Sequence, residues 1–436
     1  MTLDFETARG AKVFIEPSAI PIVSFSLTFR RGALSDPEGT EGATRATLRM
    51  LRRGAGKGAK ALSAQTIEET LDFLGSEMSI DVSMTSSSVV GNVLKRNLDP
   101  FFDLLETVLF EPTFDEAEFA RLKRETLAEM IEARDNDRAL AQRAFRKAMY
   151  AGHPYARIST EKSVSGLTTD MLRRVHSETI ALGDWVLGLS GDVSKADADK
   201  LVARLEKRFG TGKSTKAPVA DPARPTGRSL LLVDKPERSQ SQILIGGLGT
   251  HPDDEDHTAL VVANAIFGGT FTSRLMREVR SKRGWSYGAS CRLGLDRIRQ
   301  EFAMWTFPSA QDTAACIELE LSLLEELVEK GIQEDELSFI KNYLVRSYAF
   351  DVDTAPKRLH QRLDIELIGL KDDYFSGYRD RVRAVTLEEA NAALRKRIAP
   401  EALHIVVVTT NSELGETLRT KIPKLARNEV LPFDSL

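Results

Sequence analysis

The chain has 436 residues, and because single hydrophobic cores stop growing beyond ~250–300 residues, at least two domains are expected. Its 60 basic and 64 acidic residues give a net charge of −4, so the sequence offers no overall field to hold nucleic acid or an acidic membrane surface. No apolar run approaches the ~18 residues of a membrane helix. The first residues lack the basic and then apolar pattern of a secretion signal, so we expect a cytoplasmic protein, or a periplasmic one if a signal was removed.

The first half of the chain contains a strand, a long helix, and then a short helix followed by a strand. The run Ile22–Phe29 is typical of a strand. Acidic residues between Phe114 and Phe119 precede a long amphipathic pattern and predict a helix start, because they suit the positive end of the helix dipole. Leu167–Met171 predicts a short helix, and Trp185–Leu189 predicts the strand that follows it.

A polar, proline-rich stretch, residues 211–229, has neither helical nor strand periodicity and predicts a linker. The same order of elements recurs after it, at Gln242–Gly246, Gln333–Leu337, Leu387–Ala390 and His404–Thr409. Such self-similarity indicates a duplication. We therefore expect an α+β protein of two homologous domains, 1–210 and 230–436, each a mixed β-sheet covered by helices.

The segment Gly32–Thr44, followed by Arg45–Gly54, resembles the glycine-rich approach and first helix of the pitrilysin and mitochondrial processing peptidase family. In that family the helix carries His-x-x-Glu-His, in which two imidazoles one turn apart hold zinc and the carboxylate between them acts as general base. Here the three positions are Arg45, Leu48 and Arg49. A guanidinium stays protonated and cannot ligate zinc, and Leu48 cannot move a proton. We therefore expect no metal in this chain.

The resemblance also implies a third zinc ligand on a later helix, and Glu129 falls near that position. A single carboxylate does not make a zinc site. We therefore interpret Glu129 as a solvated helix carboxylate, although it could also be the remaining ligand of a lost site.

Four arginines on the first helix, Arg45, Arg49, Arg52 and Arg53, form a basic stripe that could contact nucleic acid. No aromatic residues interleave with them to stack bases. We therefore favour a solvated helix face and expect no nucleic-acid partner. The residues expected to turn inward are Ala43, Ala46, Thr47, Met50 and Leu51.

The second half carries Ala263–Arg280 followed by Ser281–Gly288, with a Gly-Gly pair, a Ser-Arg-Leu helix start and an Arg-x6-Tyr pair. These features are similar to the C-terminal domains of the same family. Arg280 and Tyr287 match the family's arginine and tyrosine, and the resemblance implies that they bind substrate carbonyls and stabilise the oxyanion formed when water attacks. A fixed cation and a phenolic hydroxyl are suitable donors where negative charge develops.

Arg280 and Tyr287 also have a structural interpretation. Arg280 could be a cation at a helix C-terminus and Tyr287 a half-buried strand residue, with Gly284 as the helix cap between them. The length of the matched segment favours the catalytic interpretation.

The resemblance implies that the two domains form half of a clam-shell peptidase and that a homologous chain forms the other half. We expect a zinc-bearing partner subunit whose site for a peptide substrate is completed by Arg280 and Tyr287. We expect no membrane partner and no cleavage by this chain alone. Three alternatives stay open: a structural subunit without catalysis, a peptide-binding homodimer, and an unpaired peptidase, which the missing ligands disfavour.

Overall fold

The computed structural model describes residues 4–213 and 219–436, and its elements are as follows. The strands are β1 (Phe5–Glu6), β2 (Lys12–Pro17), β3 (Ile22–Phe29), β4 (Ser76–Val82), β5 (Ser87–Leu94), β6 (Trp185–Gly191), β7 (Arg228–Asp234), β8 (Gln242–Leu248), β9 (Ala289–Leu293), β10 (Glu301–Thr306), β11 (His404–Thr409) and β12 (Leu425–Pro432). The α-helices are α1 (Ala43–Met50), α2 (Ala64–Leu74), α3 (Leu98–Phe110), α4 (Glu116–Ala133), α5 (Asp137–Met149), α6 (Glu161–Ser165), α7 (Thr169–His176), α8 (Lys195–Arg208), α9 (His257–Asn264), α10 (Thr313–Lys330), α11 (Glu334–Ser347), α12 (Ala355–Asp364), α13 (Tyr378–Ala384), α14 (Leu387–Arg397) and α15 (Asn411–Lys421).

The strands form two six-stranded mixed sheets that repeat one topology. The first has the order β1-β2-β6-β3-β5-β4 and the second has the order β12-β7-β11-β8-β10-β9. In each sheet a parallel pair, β2–β6 or β11–β7, is followed by antiparallel strands. The sheets differ at one edge, where β1 is antiparallel to its neighbour and β12 is parallel. The predicted α+β fold with two duplicated mixed sheets is confirmed.

The chain divides into two compact units, and neither is a contiguous half. Unit 1 contains the residues up to Met130, those from Arg157 to the linker, and Phe350–Gly369. Unit 2 contains Ile131–Ala156, the residues from the linker to Ala349, and Leu370–Leu436. The division into 1–210 and 230–436 therefore misplaces two helical segments.

The two misplaced segments carry α5 and α12. Helix α5, from the first half of the sequence, packs on the sheet of unit 2, and α12, from the second half, packs on the sheet of unit 1. Leu359 and Leu363 of α12 lie on β6 where Gly188 leaves room, since a Cβ there would come within about 3 Å of both side chains. Phe145 of α5 likewise lies against Gly246 of β8. Periodicity alone shows that these helices are amphipathic but not which sheet they cover, so the boundary needed the tertiary structure.

The predicted linker is also shorter than 211–229 at its end. Arg228 and Ser229 begin β7, and the Arg228 side chain is fully buried, donating to the Pro400 and Pro423 carbonyl oxygens at 2.8 Å each. Residues 214–218 lie outside the described part of the chain. In the described ranges no helix is both long enough and apolar enough to span a bilayer.

Candidate functional site

Helix α1, which carries the degenerate motif, is fixed at its start by a buried carboxylate. Asp36 accepts hydrogen bonds from the Gly42 and Thr44 backbone N–H groups at 3.0 Å and from the Thr44 hydroxyl at 2.6 Å. Burial raises the pKa of Asp36, against the lowering effect of these donors. Gly42 has a φ of 103°, a left-handed conformation that favours glycine. These contacts therefore fix the orientation of α1 relative to the loop.

The three motif positions have different environments. Leu48 is 1% exposed and belongs to the core of the first sheet. Arg45 is exposed, and among the described residues its side chain has no hydrogen-bond or ion-pair partner. The expected inward residues Ala43, Thr47, Met50 and Leu51 are buried and Ala46 is partly buried.

Arg49 and Glu129, on α1 and α4, form a bidentate ion pair. The two guanidinium nitrogens of Arg49 donate to the two carboxylate oxygens of Glu129 at 2.7 and 2.8 Å, and one of them also donates to the Thr126 hydroxyl at 3.1 Å. Glu129 is thus not the purely solvated carboxylate we expected, although its side chain is 56% exposed. The position that resembles the third ligand lies against the position that resembles the second histidine.

These residues do not fit zinc. A guanidinium has no lone pair to donate and already occupies the Glu129 carboxylate, while Leu48 supplies neither ligand nor base. Within the described residues, no three His, Cys, Asp or Glu side chains are grouped so that they could hold a metal ion.

The neighbouring arginines of the stripe are paired as well. Arg53 bonds to Glu125 and lies 3.7 Å from Glu118, and the bond to Arg53 lowers the pKa of Glu125. Arg52 donates to Glu68 at 3.0 Å and to the Met78 carbonyl on the edge strand β4. These contacts surround a cleft of about 280 Å³. Of the four arginines, only Arg45 is left without a partner in the described part of the chain, so the stripe is not an open basic face for nucleic acid.

The second region is built by two π-helical turns in unit 2. The first turn, Ala265–Gly269, packs closely on β9 because Gly268 has no side chain; a Cβ there would lie 2.5 Å from Cys291. Gly268 is therefore a close-packing glycine. The second turn, Met276–Ser281, carries Arg280. Gly284 follows with a φ of 66°, and its N–H donates to the Arg280 carbonyl at 3.0 Å.

Tyr287 is held in place by its neighbour in the chain. The buried Ser286 hydroxyl donates to the Gly288 carbonyl at 2.6 Å and accepts from the Phe307 N–H at 3.0 Å. Tyr287 itself is 77% exposed and precedes β9. It is therefore not the half-buried strand residue of the structural alternative, whereas Gly284 does end the helical turn as that alternative expected.

The Arg280 guanidinium lies between two exposed aromatic rings. Its carbon is 4.2 Å from the centre of the Tyr287 ring and 4.9 Å from that of Phe271, which is 70% exposed. Cation–π attraction accounts for this arrangement. Within 4–213 and 219–436, neither the Arg280 guanidinium nor the Tyr287 hydroxyl has a hydrogen-bond partner. Both groups are thus positioned donors that remain available to a ligand.

Phe271 is the residue that the sequence did not single out. Its signal was weak: a large aromatic residue in the polar segment Gly269–Ser273, where nothing requires an apolar side chain. Spacing could not show that its ring would meet the arginine nine residues later.

Two family models match the chain. Residues 12–161 match the insulinase (peptidase family M16) model, and residues 166–344 match the peptidase M16 inactive domain model. A curated relative, "Non-peptidase homolog YmxG" of Helicobacter pylori, is 20% identical over 416 residues, 94% of each chain.

Solved structures give the same picture. A peptidase M16 inactive domain from Pseudomonas fluorescens superposes with a TM-score of 0.83 and 26% identity, over 93% of this chain and 98% of that one. The periplasmic protease PqqL of Escherichia coli superposes with a TM-score of 0.75 and 15% identity, over 93% of this chain but only 45% of its own. The second likeness concerns the fold alone.

Proposed function

The chain belongs to the peptidase M16 family, and from that premise we propose that it is the subunit without zinc of a heterodimeric zinc metallopeptidase. The observation that carries the proposal is the pair Arg280 and Tyr287, whose donor groups are held together by cation–π contact yet bonded to nothing else in the described chain. Zinc is expected in the homologous partner subunit and not here. The chain is inactive alone.

Arg280 and Tyr287 have the chemistry of substrate-binding and charge-stabilising groups. The Arg280 guanidinium binds a peptide carbonyl with a charge-assisted hydrogen bond. As that carbonyl oxygen gains negative charge, Arg280 and the Tyr287 hydroxyl donate to it, and such stabilisation of the oxyanion usually contributes more than any other interaction to acyl-transfer catalysis. Neither group has to leave a protein partner first.

The comparisons support a division of labour between two chains. The Helicobacter relative is described as a non-peptidase homolog. This chain spans 45% of the PqqL chain, so a protein of that length contains room for two such halves. We infer that a separate homologous chain supplies the second half here, with an intact His-x-x-Glu-His helix.

A peptide-binding or structural homodimer of the same fold is the second candidate. The partly exposed Arg280 and the exposed rings of Phe271 and Tyr287 favour it, because they can hold a peptide without cleaving it. In that case no zinc-bearing chain accompanies the protein.

The test begins with the tagged chain purified from its native cell, together with any partner. We expect a homologous chain with an intact zinc motif, and peptide hydrolysis by the pair. Tyr287→Phe removes one hydroxyl and keeps the ring, so pairing and melting temperature should be unchanged while turnover falls ~100- to 1000-fold.

The matched control is Tyr343→Phe, since Tyr343 is a half-exposed tyrosine on α11 outside the pair. It should leave turnover unchanged. Full turnover in Tyr287→Phe, or a native complex that contains only copies of this chain, would reject the proposal.

A further inference from the structure

A second arginine of unit 2, Arg138 near the start of α5, lies over an aromatic ring. Its guanidinium carbon is 3.9 Å from the centre of the Trp305 ring on β10. The indole N–H of Trp305 donates to the side-chain oxygen of Gln242 at 3.0 Å. The ring of Phe307 stacks on that of Trp305, with 4.9 Å between the centres and 30° between the planes. The ring beneath Arg138 is therefore held by a hydrogen bond and by a second ring.

The charge of Arg138 is not matched by a carboxylate. Its side chain is exposed, and among residues 4–213 and 219–436 its guanidinium has no hydrogen-bond or ion-pair partner. The neighbouring Asp137 is already occupied, because it accepts from Lys235 at 2.7 Å and from Arg238 at 3.4 Å. An incoming anion therefore meets a positive charge whose N–H groups are free.

Arg138 and Arg280 lie along one continuous line of contacts in unit 2. Gly288, the residue after Tyr287, lies against the Trp305 ring, since a Cβ there would be 3.5 Å from it. The Tyr287 ring in turn contacts the Arg280 guanidinium at 4.2 Å. Followed along these contacts, the two guanidinium groups are less than ~25 Å apart, which about eight residues of extended peptide span at ~3.3 Å each. One extended peptide can therefore reach both arginines.

We propose that Arg138 binds a carboxylate of the peptide that is held at Arg280 and Tyr287, a proposal that rests on the proposed function. A planar guanidinium can donate two parallel N–H groups to the two oxygens of a carboxylate. The contact with Trp305 restricts the guanidinium and leaves its N–H groups free, so less side-chain freedom is lost when the carboxylate binds. The carboxylate is either an acidic side chain of the peptide or its C-terminus, which present the same two oxygens.

The test measures binding of labelled peptides of about sixteen Ala and Ser residues to the purified full chain, a length that reaches both arginines from a central residue. The first peptide has a central Glu and an amidated C-terminus, and the second has Gln in place of the Glu. The third is the Gln peptide with a free C-terminal carboxylate. We expect a carboxylate to strengthen binding about 5-fold over the amidated Gln peptide, the upper end for an exposed ion pair. The peptide that shows this gain identifies the source of the carboxylate.

Three variants assign the gain to Arg138. Arg138→Gln should abolish it and barely change the melting temperature, because the exposed guanidinium has no hydrogen-bond or ion-pair partner in the described chain. Arg138→Lys keeps the charge but not the planar fork, so part of the gain should remain. The matched control is Arg395→Gln on α14, where the exposed arginine has neither a polar partner nor a ring contact among the described residues. It should keep the full gain.

The outcomes separate this proposal from the proposed function. Arg280→Ala should weaken binding of the three peptides alike and keep the ratios between them. Equal affinities of the three peptides, no binding by any of them, a gain that survives Arg138→Gln, or an equal loss in Arg395→Gln would each overturn the carboxylate site. A gain that depends on Arg138, together with unchanged affinities in Arg280→Ala, rejects the proposed function instead and leaves Arg138 as a carboxylate-binding residue.

Discussion

Arg49 in unit 1 and Arg280 in unit 2 differ in what their guanidinium groups contact. Arg49 uses its donors on Glu129 and Thr126. Among the described residues the Arg280 guanidinium has no hydrogen-bond or ion-pair partner and lies over two aromatic rings, which restrict its position without accepting its N–H groups. Arg52 and Arg53, beside Arg49, are bonded to carboxylates as well.

This difference separates a site that has become structural from one that can still bind a ligand. A donor that is already paired must lose its partner before it serves a substrate, and that exchange cancels most of the gain. A donor held by ring faces loses only water. The arginines around α1 are therefore bonded within unit 1, whereas the Arg280 guanidinium keeps its N–H groups available, as our proposal that it binds a substrate carbonyl requires.

The largest expected effect comes from exchanging Arg280 for alanine in the heterodimer. Arg280→Ala should lower turnover ~100- to 1000-fold, because it removes a donor to the developing oxyanion. It should also raise the KM, since the charged donor binds the substrate carbonyl before reaction. Peptide hydrolysis and melting temperature are measured on the same samples.

Arg49→Ala is the counterpart in unit 1 and should leave both kinetic constants unchanged. If Arg49→Ala damages turnover as much as Arg280→Ala, with the fold intact, the paired arginines are not merely structural and the comparison fails.

A second difference between the units is their response to pH. In unit 1 the partly exposed Glu125 has its pKa lowered by Arg53. In unit 2 Glu320 on α10 is fully buried, beside the Thr306 hydroxyl and the thiols of Cys291 and Cys316, and burial raises its pKa to about 8. The Thr306 hydroxyl acts against this and lowers the pKa of Glu320, but burial has the larger effect. The folded chain therefore holds Glu320 as a neutral acid at pH 7.

A raised carboxyl pKa means that the folded state binds a proton that the unfolded state has lost. The contribution of Glu320 to stability is thus complete below about pH 4.5 and falls as the pH rises to about 8, by on the order of 3–5 kcal/mol. Glu320→Gln, neutral at every pH, should flatten this fall in the free energy of unfolding measured with urea. Glu125→Gln, the control, should leave the fall between about pH 4.5 and 8 unchanged. It should lower stability at neutral pH and lose this effect on acidification, because a carboxyl with a lowered pKa contributes stability that is lost as the pH falls.

Much of the fold could be predicted from local patterns. The strand predicted at Ile22–Phe29 has those bounds in the structure, and the acidic helix starts led to α4 and α11. Each of these patterns depends only on neighbouring residues and can be recognised in the sequence. Their repeated order predicted the duplication. The positions of α5 and α12 could not be predicted, since their packing on a sheet depends on glycines far away in the chain, Gly188 and Gly246.

The candidate site could be predicted only where a motif names its residues. Arg280 and Tyr287 came from such a motif. The ion pair of Glu129 joins residues 80 positions apart in the sequence. The contact of Phe271 with Arg280 depends on the path of a π-helical turn. Neither leaves a periodic signal.

The smallest expected effect is the loss of the Arg49–Glu129 pair. Exposed ion pairs contribute ~0.2–1 kcal/mol, and bidentate geometry with the additional Thr126 bond places this pair near the upper end, at about 1 kcal/mol. Glu129→Gln keeps the shape and removes the charge, and Arg49→Met keeps the stem and removes the guanidinium. A double-mutant cycle on the free energy of unfolding isolates their coupling. The coupling should shrink at ~1 M salt, where the Debye length is only about 3 Å, and turnover of the heterodimer should follow neither variant. A coupling of zero at low salt would mean that α1 and α4 are held together by their apolar contacts alone, and that Glu129 is the solvated carboxylate expected from the sequence.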